Sequence, residues 1–177
     1  MNELKNELPK KTKDFFKKMQ TYLDTNLYFY GSVTRADYVP DKSDIDVAIF
    51  TDNEASVISK LQHYLHVKRN AFEKIVWKLN GTMIYGYKIK CEKYVGINCE
   101  ISIYNNDFKP VLLDEYTKPI KNTSWVIFIL LFLIKLFYYQ IPLLPKDTYN
   151  SLKRTVLNEL MGKKESVFIV LKDNNQR

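Results

Sequence analysis

Aspartates at positions 44 and 46 bracket Ile45 at the start of an apolar run that reaches Phe50, and this segment constrains the fold most tightly. Residues two apart on an extended chain project to the same face, with Cα atoms about 6.5–7 Å apart. Ile45, Val47 and Ile49 then point the opposite way, where only a core can take them. The chain must therefore supply a sheet with one apolar face and one face carrying two acids. Bare carboxylates this close repel, so one of them resists ionising. A divalent cation removes that repulsion. Magnesium suits such a site because it takes few carboxylates and leaves room for phosphate oxygens. Two metals about 3.5–4 Å apart activate a hydroxyl and clamp a triphosphate for in-line displacement.

Upstream, Leu27 to Tyr30 reads as a short strand that runs into Gly31 and Ser32, eleven residues before Ser43. A glycine lets the backbone approach a ligand closely. The turn after it offers amide N–H groups at a helix start, where anions are stabilised. The Ser32 hydroxyl donates to the same oxygens, and Arg35 adds a planar cation. Either half alone is an ordinary turn or a chance acid pair. Both in order, on the right elements, indicate a bound nucleoside triphosphate.

A third carboxylate is expected from a neighbouring strand. Ile97, Cys99, Ile101 and Ile103 alternate with Asn98, Glu100 and Ser102, which puts Glu100 on the polar side. Glu92 and Asp107 fall in turns and fit less well.

The remaining pattern predicts a helix over Leu8–Thr25, with Phe15, Phe16, Met19, Tyr22 and Leu23 on its apolar face and five lysines around the rest. Residues 33–43 read as a helical turn and a polar loop. Thr51 to Glu54 caps a helix over Ala55–Leu65. Strands follow near Phe72–Leu79, Thr82–Cys91 and Val95–Tyr104, with Asn80-Gly81 as the hairpin signal. Helices are expected over Val111–Tyr116, Ser124–Gln140 and Lys146–Met161. The last residues, Lys172 to Arg177, are polar and expected to be loose. The fold class is α+β: a mixed sheet with flanking helices, residues 1–108, then a small helical subdomain and polar tail, residues 109–177.

Apolar residues make up 46% of the chain, enough for a core, and the net charge is +7. The positive balance favours a polyanionic partner and says nothing of fold. Cys91 and Cys99 lack a nearby histidine, which argues against zinc. They read as buried free thiols, with a cross-hairpin disulfide as the alternative. The run from Trp125 to Tyr139 carries Lys135 near its centre and is shorter than the roughly 20 residues a bilayer needs. A helix in a helical core suits it better than a membrane span, and a second copy of the chain is an equal candidate to cover it. With no apolar leader at Met1 to Lys5, an intracellular, cytoplasmic protein is expected.

The segment FYGSVTRADYVPDKSDIDV, Phe29 to Val47, resembles the nucleotide-binding signature of the DNA polymerase beta-type nucleotidyltransferase superfamily. Its small, minimal members are the most similar. The resemblance implies Asp44 and Asp46 as metal ligands, Gly31 and Ser32 as triphosphate binders with Arg35 and Ser43 beside them, and two Mg²⁺ or Mn²⁺ ions. Cys99-Glu100-Ile101 is similar to the later acidic triplet of that family, which makes Glu100 the third metal ligand and the base. Lys153 and Lys164 are triphosphate candidates and Tyr149 a base-stacking candidate. His63 and His66 read as packing residues, and Lys68-Arg69 as loop charge. The expected reaction moves a nucleoside monophosphate to an acceptor hydroxyl, with an RNA or DNA 3′ end favoured. A protein acceptor, as in a toxin–antitoxin pair, and a non-catalytic nucleotide-binding module are the competing readings.

Overall fold

The computed structural model describes residues 6–79, 81–117, 125–139, 145–160 and 169–171. In chain order the elements are α1 (Lys10–Leu23), β1 (Leu27–Tyr30), β2 (Ile45–Thr51), α2 (Glu54–Leu65), β3 (Glu73–Leu79), β4 (Thr82–Lys90), the short α3 (Glu92–Val95), β5 (Cys99–Asn105), α4 (Lys109–Thr117), α5 (Trp125–Tyr139), α6 (Lys146–Leu160) and β6 (Ile169–Leu171). The six strands form one mixed sheet in the order β1-β2-β5-β4-β3-β6. β2 and β5 run parallel, and every other neighbouring pair is antiparallel.

Alternation along the strands decides which layer covers which face. Val47, Ile49, Ile101 and Ile103 point to one side, where Phe16 and Met19 of α1 and Ile58 and Leu61 of α2 complete the main core. Ala48, Phe50, Ile75, Ile84 and Tyr104 point to the other, beneath Leu112 of α4. α2 begins where expected, with the Asn53 side chain accepting the Ser56 amide N–H at 2.9 Å. β3 and β4 form the expected hairpin, pairing Leu79 with Thr82, and Gly81 takes φ +84°. Its partner in the turn, Asn80, lies outside the described residues.

One expected strand starts later, and the chain adds a strand where none was assigned. The strand expected from Val95 starts at Cys99, because Glu92–Val95 closes a helical turn that Gly96 ends at φ +65°. Just past the expected boundary at 108/109, α4 packs on the sheet through the fully buried Leu112. Ile169–Leu171, between the expected last helix and the expected loose tail, form β6, which pairs with β3.

α5 and α6 pack on each other through a smaller cluster of Leu131, Ile134, Tyr149 and Val156. The burial expected for α5 is only partial: Ile129, Leu130, Phe132, Leu133 and Phe137 remain 38–48% exposed. Among the described residues no helix is long and apolar enough to cross a membrane. Cys91 and Cys99 are buried free thiols on facing backbone positions, with the Cys91 N–H donating to the Cys99 carbonyl at 2.8 Å.

Candidate active site

β1 ends at Tyr30, and the chain turns through a single 3₁₀ turn, Gly31–Thr34. Gly31 takes φ +72°, and a Cβ there would overlap the Asp46 carboxylate. Glycine is needed twice over, for the left-handed backbone and for the space. The Thr34 hydroxyl donates to the Gly31 carbonyl at 2.9 Å, and the buried Ser32 hydroxyl donates to the Asp44 carbonyl at 3.4 Å. These bonds tie the turn to the strand that bears the acids.

Parallel pairing of β2 and β5 sets Asp46 directly beside Glu100, with Tyr30 on its other flank. Asp44 immediately precedes β2. Burial, then the charges of Asp44 and Glu100, push the Asp46 carboxyl up to about 7, against the opposing pull of Lys153 and Arg35. Lysines neutralise the two flanking acids. Lys88 of β4 lies 3.4 Å from Glu100, and Lys153 of α6 lies 3.8 Å from Asp44. Further along the same face, α4 closes the sheet, so the acids sit at the open end.

Other expected residues are placed less simply. Arg35 turns onto Asp37 through two hydrogen bonds, of 2.8 and 3.2 Å. Ser43, expected to bind nucleotide, is buried, and its hydroxyl accepts from the Val39 amide at 3.1 Å and from Lys135 at 3.2 Å. It supports the loop from within. Tyr149, expected as an open stacking surface, already stacks on Tyr138 with ring centroids 4.0 Å apart. Lys164 lies outside the described residues. His66 caps α2 at φ +54°, and Arg69 packs over the Tyr87 ring.

Sequence reasoning missed Lys88, Asp37 and Lys135. Lys88 carries no signal beyond its place two residues before Lys90. Lys135 does: it is the one charge in α5. It is 2% exposed and bonds the Asp37 carboxylate at 3.0 Å.

A profile described as the nucleotidyltransferase domain matches residues 9–158. The chain belongs to that family. No curated protein matches it. Among solved structures, the Cid1 poly(U) polymerase with MgGTP bound is similar at 18% identity over 74% of this chain and 43% of that one, with a TM-score of 0.39. The GLD-2/RNP-8 complex is similar at 15% identity over 86% of this chain and 55% of that one, with a TM-score of 0.39. Terminal uridylyl transferase 4 from Trypanosoma brucei with bound GTP is similar at 15% identity over 89% and 54%, with a TM-score of 0.38. The chain thus spans about half the length of these structures.

The candidate donors, the carboxylates of Asp44, Asp46 and Glu100, are all oxygen, which fits a hard cation such as Mg²⁺ or Mn²⁺. Burial first, and then repulsion from Asp44 and Glu100, raise Asp46, and such a cation would offset both. Among the described residues no three Asp, Glu, His or Cys side chains are grouped closely enough to hold an ion unaided. Lys88 and Lys153 pair with Glu100 and Asp44 at 3.4 and 3.8 Å. Magnesium is commonly bound by one or two carboxylates plus substrate phosphates, so nucleotide would supply the missing ligands.

Proposed function

We propose that this nucleotidyltransferase moves a nucleoside monophosphate from a nucleoside triphosphate to an acceptor hydroxyl and releases pyrophosphate. The observation that carries this reading is the Asp46–Glu100 pair, adjacent by register, with Asp46 packed against the Gly31 turn. In this reading Asp44, Asp46 and Glu100 hold two Mg²⁺ or Mn²⁺ ions. When bound, the ions supply positive charge to the triphosphate and to the attacking oxygen.

The protein's own residues supply the rest. Gly31 and Ser32 admit the phosphates to the backbone, and Lys153, 3.8 Å from Asp44, would offer its ammonium to a phosphate oxygen. Arg35, fixed by Asp37, adds field more than contact. Glu100 accepts the acceptor's proton, and the new bond to the α-phosphorus forms as the bond to pyrophosphate breaks. A nucleic-acid 3′ end is the favoured acceptor, supported by the net charge of +7.

The test is transfer of label from the α-phosphate of each nucleoside triphosphate onto RNA, DNA and protein, with Mg²⁺ or Mn²⁺. Asp44→Ala/Asp46→Ala runs alongside. Label in nucleic acid, absent with the variant, is the expected result. Label in protein alone would move the acceptor to a polypeptide. Nucleotide binding without any label would leave a non-catalytic module.

A further inference from the structure

The loop between the Gly31 turn and Asp44 closes over a charged cluster that the proposed reaction does not use. The Asp37 side chain is fully buried. Arg35 binds its carboxylate from one side, and Lys135 reaches it from the middle of α5. An ammonium has three donors. Lys135 places them on the Asp37 carbonyl at 2.6 Å, the Asp37 carboxylate at 3.0 Å and the Ser43 hydroxyl at 3.2 Å. None is left over for a phosphate.

We propose that the buried Asp37–Lys135 ion pair is a positioning device, which holds the Ser43–Asp44 end of the loop and thereby sets Asp44 for metal binding. This rests on the functional reading above. Ser43 is the link. Its hydroxyl accepts both from Lys135 and from the Val39 amide, and its own amide donates to the Val39 carbonyl at 2.9 Å. Asp44 follows directly, and its carbonyl is in turn gripped by Ser32. One helical turn beyond Lys135, the Tyr139 carbonyl accepts from Lys42 at 3.2 Å, so α5 is fastened to the loop at a second point. α5 packs on α6, which carries Lys153 to Asp44. The same anchor thus sets both an acid of the site and its cation.

An apolar residue at 135 would suit this helix better on stability grounds alone. Buried ion pairs often return less than their desolvation costs, and fixing one arrangement is their best-attested use. Lys135 is therefore assigned as a positioning residue and not as a ligand.

The test uses the full chain and binding of a fluorescent ATP analogue, mant-ATP, titrated with Mn²⁺ and repeated in EDTA. Lys135→Met, Asp37→Asn and the double variant are compared with the wild type, each with a thermal melt. Each variant is expected to raise the half-saturating Mn²⁺ by about tenfold, as loss of a supporting contact behind a metal ligand does. Binding in EDTA should fall by much less than that, through the indirect loosening of Lys153 and Arg35, and the double variant should be no worse than either single. If a single variant fails to fold, the double variant decides, because it leaves no lone buried charge. Wild-type Mn²⁺ dependence in the double variant would overturn the proposal. So would an equal loss of binding in EDTA, which would make Lys135 a substrate contact. If the wild type itself shows no Mn²⁺-dependent binding, the functional reading falls, and the proposal with it.

Discussion

The carboxylate of Asp46 fills the space that a side chain at position 31 would occupy. The two residues meet because β1 and β2 pair with Tyr30 opposite Asp46, which brings the turn after Tyr30 against the acid.

Gly31→Ala should therefore fail on two counts. The left-handed backbone at φ +72° costs a non-glycine residue about 1–2 kcal/mol. The added methyl also displaces the Asp46 carboxylate. Urea unfolding should show at least that loss, and transfer should fall by more than the stability change explains. An alanine variant with normal turnover would contradict the packing described.

Asp46 makes the metal-free protein pH-sensitive. Its carboxyl moves from 3.8 to about 7 on folding. Between those values the folded state holds a proton that the unfolded chain has released, so stability drains as pH rises, and the full penalty stands above pH 7. Asp46→Asn carries no such charge. In EDTA at pH 8 it should melt roughly 4–8 °C higher, from about 2 kcal/mol after allowing for solvent at this half-buried group. The gain should shrink towards zero near pH 4. A gain independent of pH would show that Asp46 is not strained by its neighbours.

The Asp37–Lys135 pair should show the asymmetry of buried charges. Asp37→Ala leaves Lys135, 2% exposed, facing Arg35 without a counter-charge. The expected cost is about 3–5 kcal/mol in denaturant unfolding at pH 7. Asp37→Asn combined with Lys135→Met should cost far less. Equal losses in the two variants would mean that packing, and not charge, governs this cluster.

The thiols should be inert while the protein is folded. Cys91 and Cys99 are 0% and 2% exposed, and the hydrogen bond that the Cys99 thiol makes to Cys91, then burial, push it well above its ordinary range. An aromatic disulfide reagent should label neither until guanidinium is added, and then both. Rapid labelling of either thiol in the native protein would show that this corner of the sheet opens.

Much of this was legible in the sequence where periodicity and turn chemistry agree. The alternation from Ile97 to Ile103 put Glu100 on the acid face, and the register with Asp46 is as that pattern requires. The hairpin between Leu79 and Thr82 followed from its glycine. Long-range partners were not legible. Nothing local tells Lys135 that its counter-charge lies 98 residues away at Asp37. The same holds for β6, whose three residues are a strand only because β3 offers an open edge. Ser43 was misjudged because its proximity to Asp44 in sequence hides its inward side chain.

The parallel register of β2 and β5 also bears on how the molecule reaches its native form. Asp46 and Glu100 meet because β5, last of the four strands β2–β5 in the chain, lies between β2 and the hairpin strand β4. A slip of one residue would turn Glu100 into the apolar layer and bring Cys99 or Ile101 out in its place. A chain with this register slipped cannot bring the two acids side by side. Metal and nucleotide would bind, and so stabilise, the correctly paired sheet alone. The substrate would then act as an inspector of the fold, rewarding the one strand alignment that can use it.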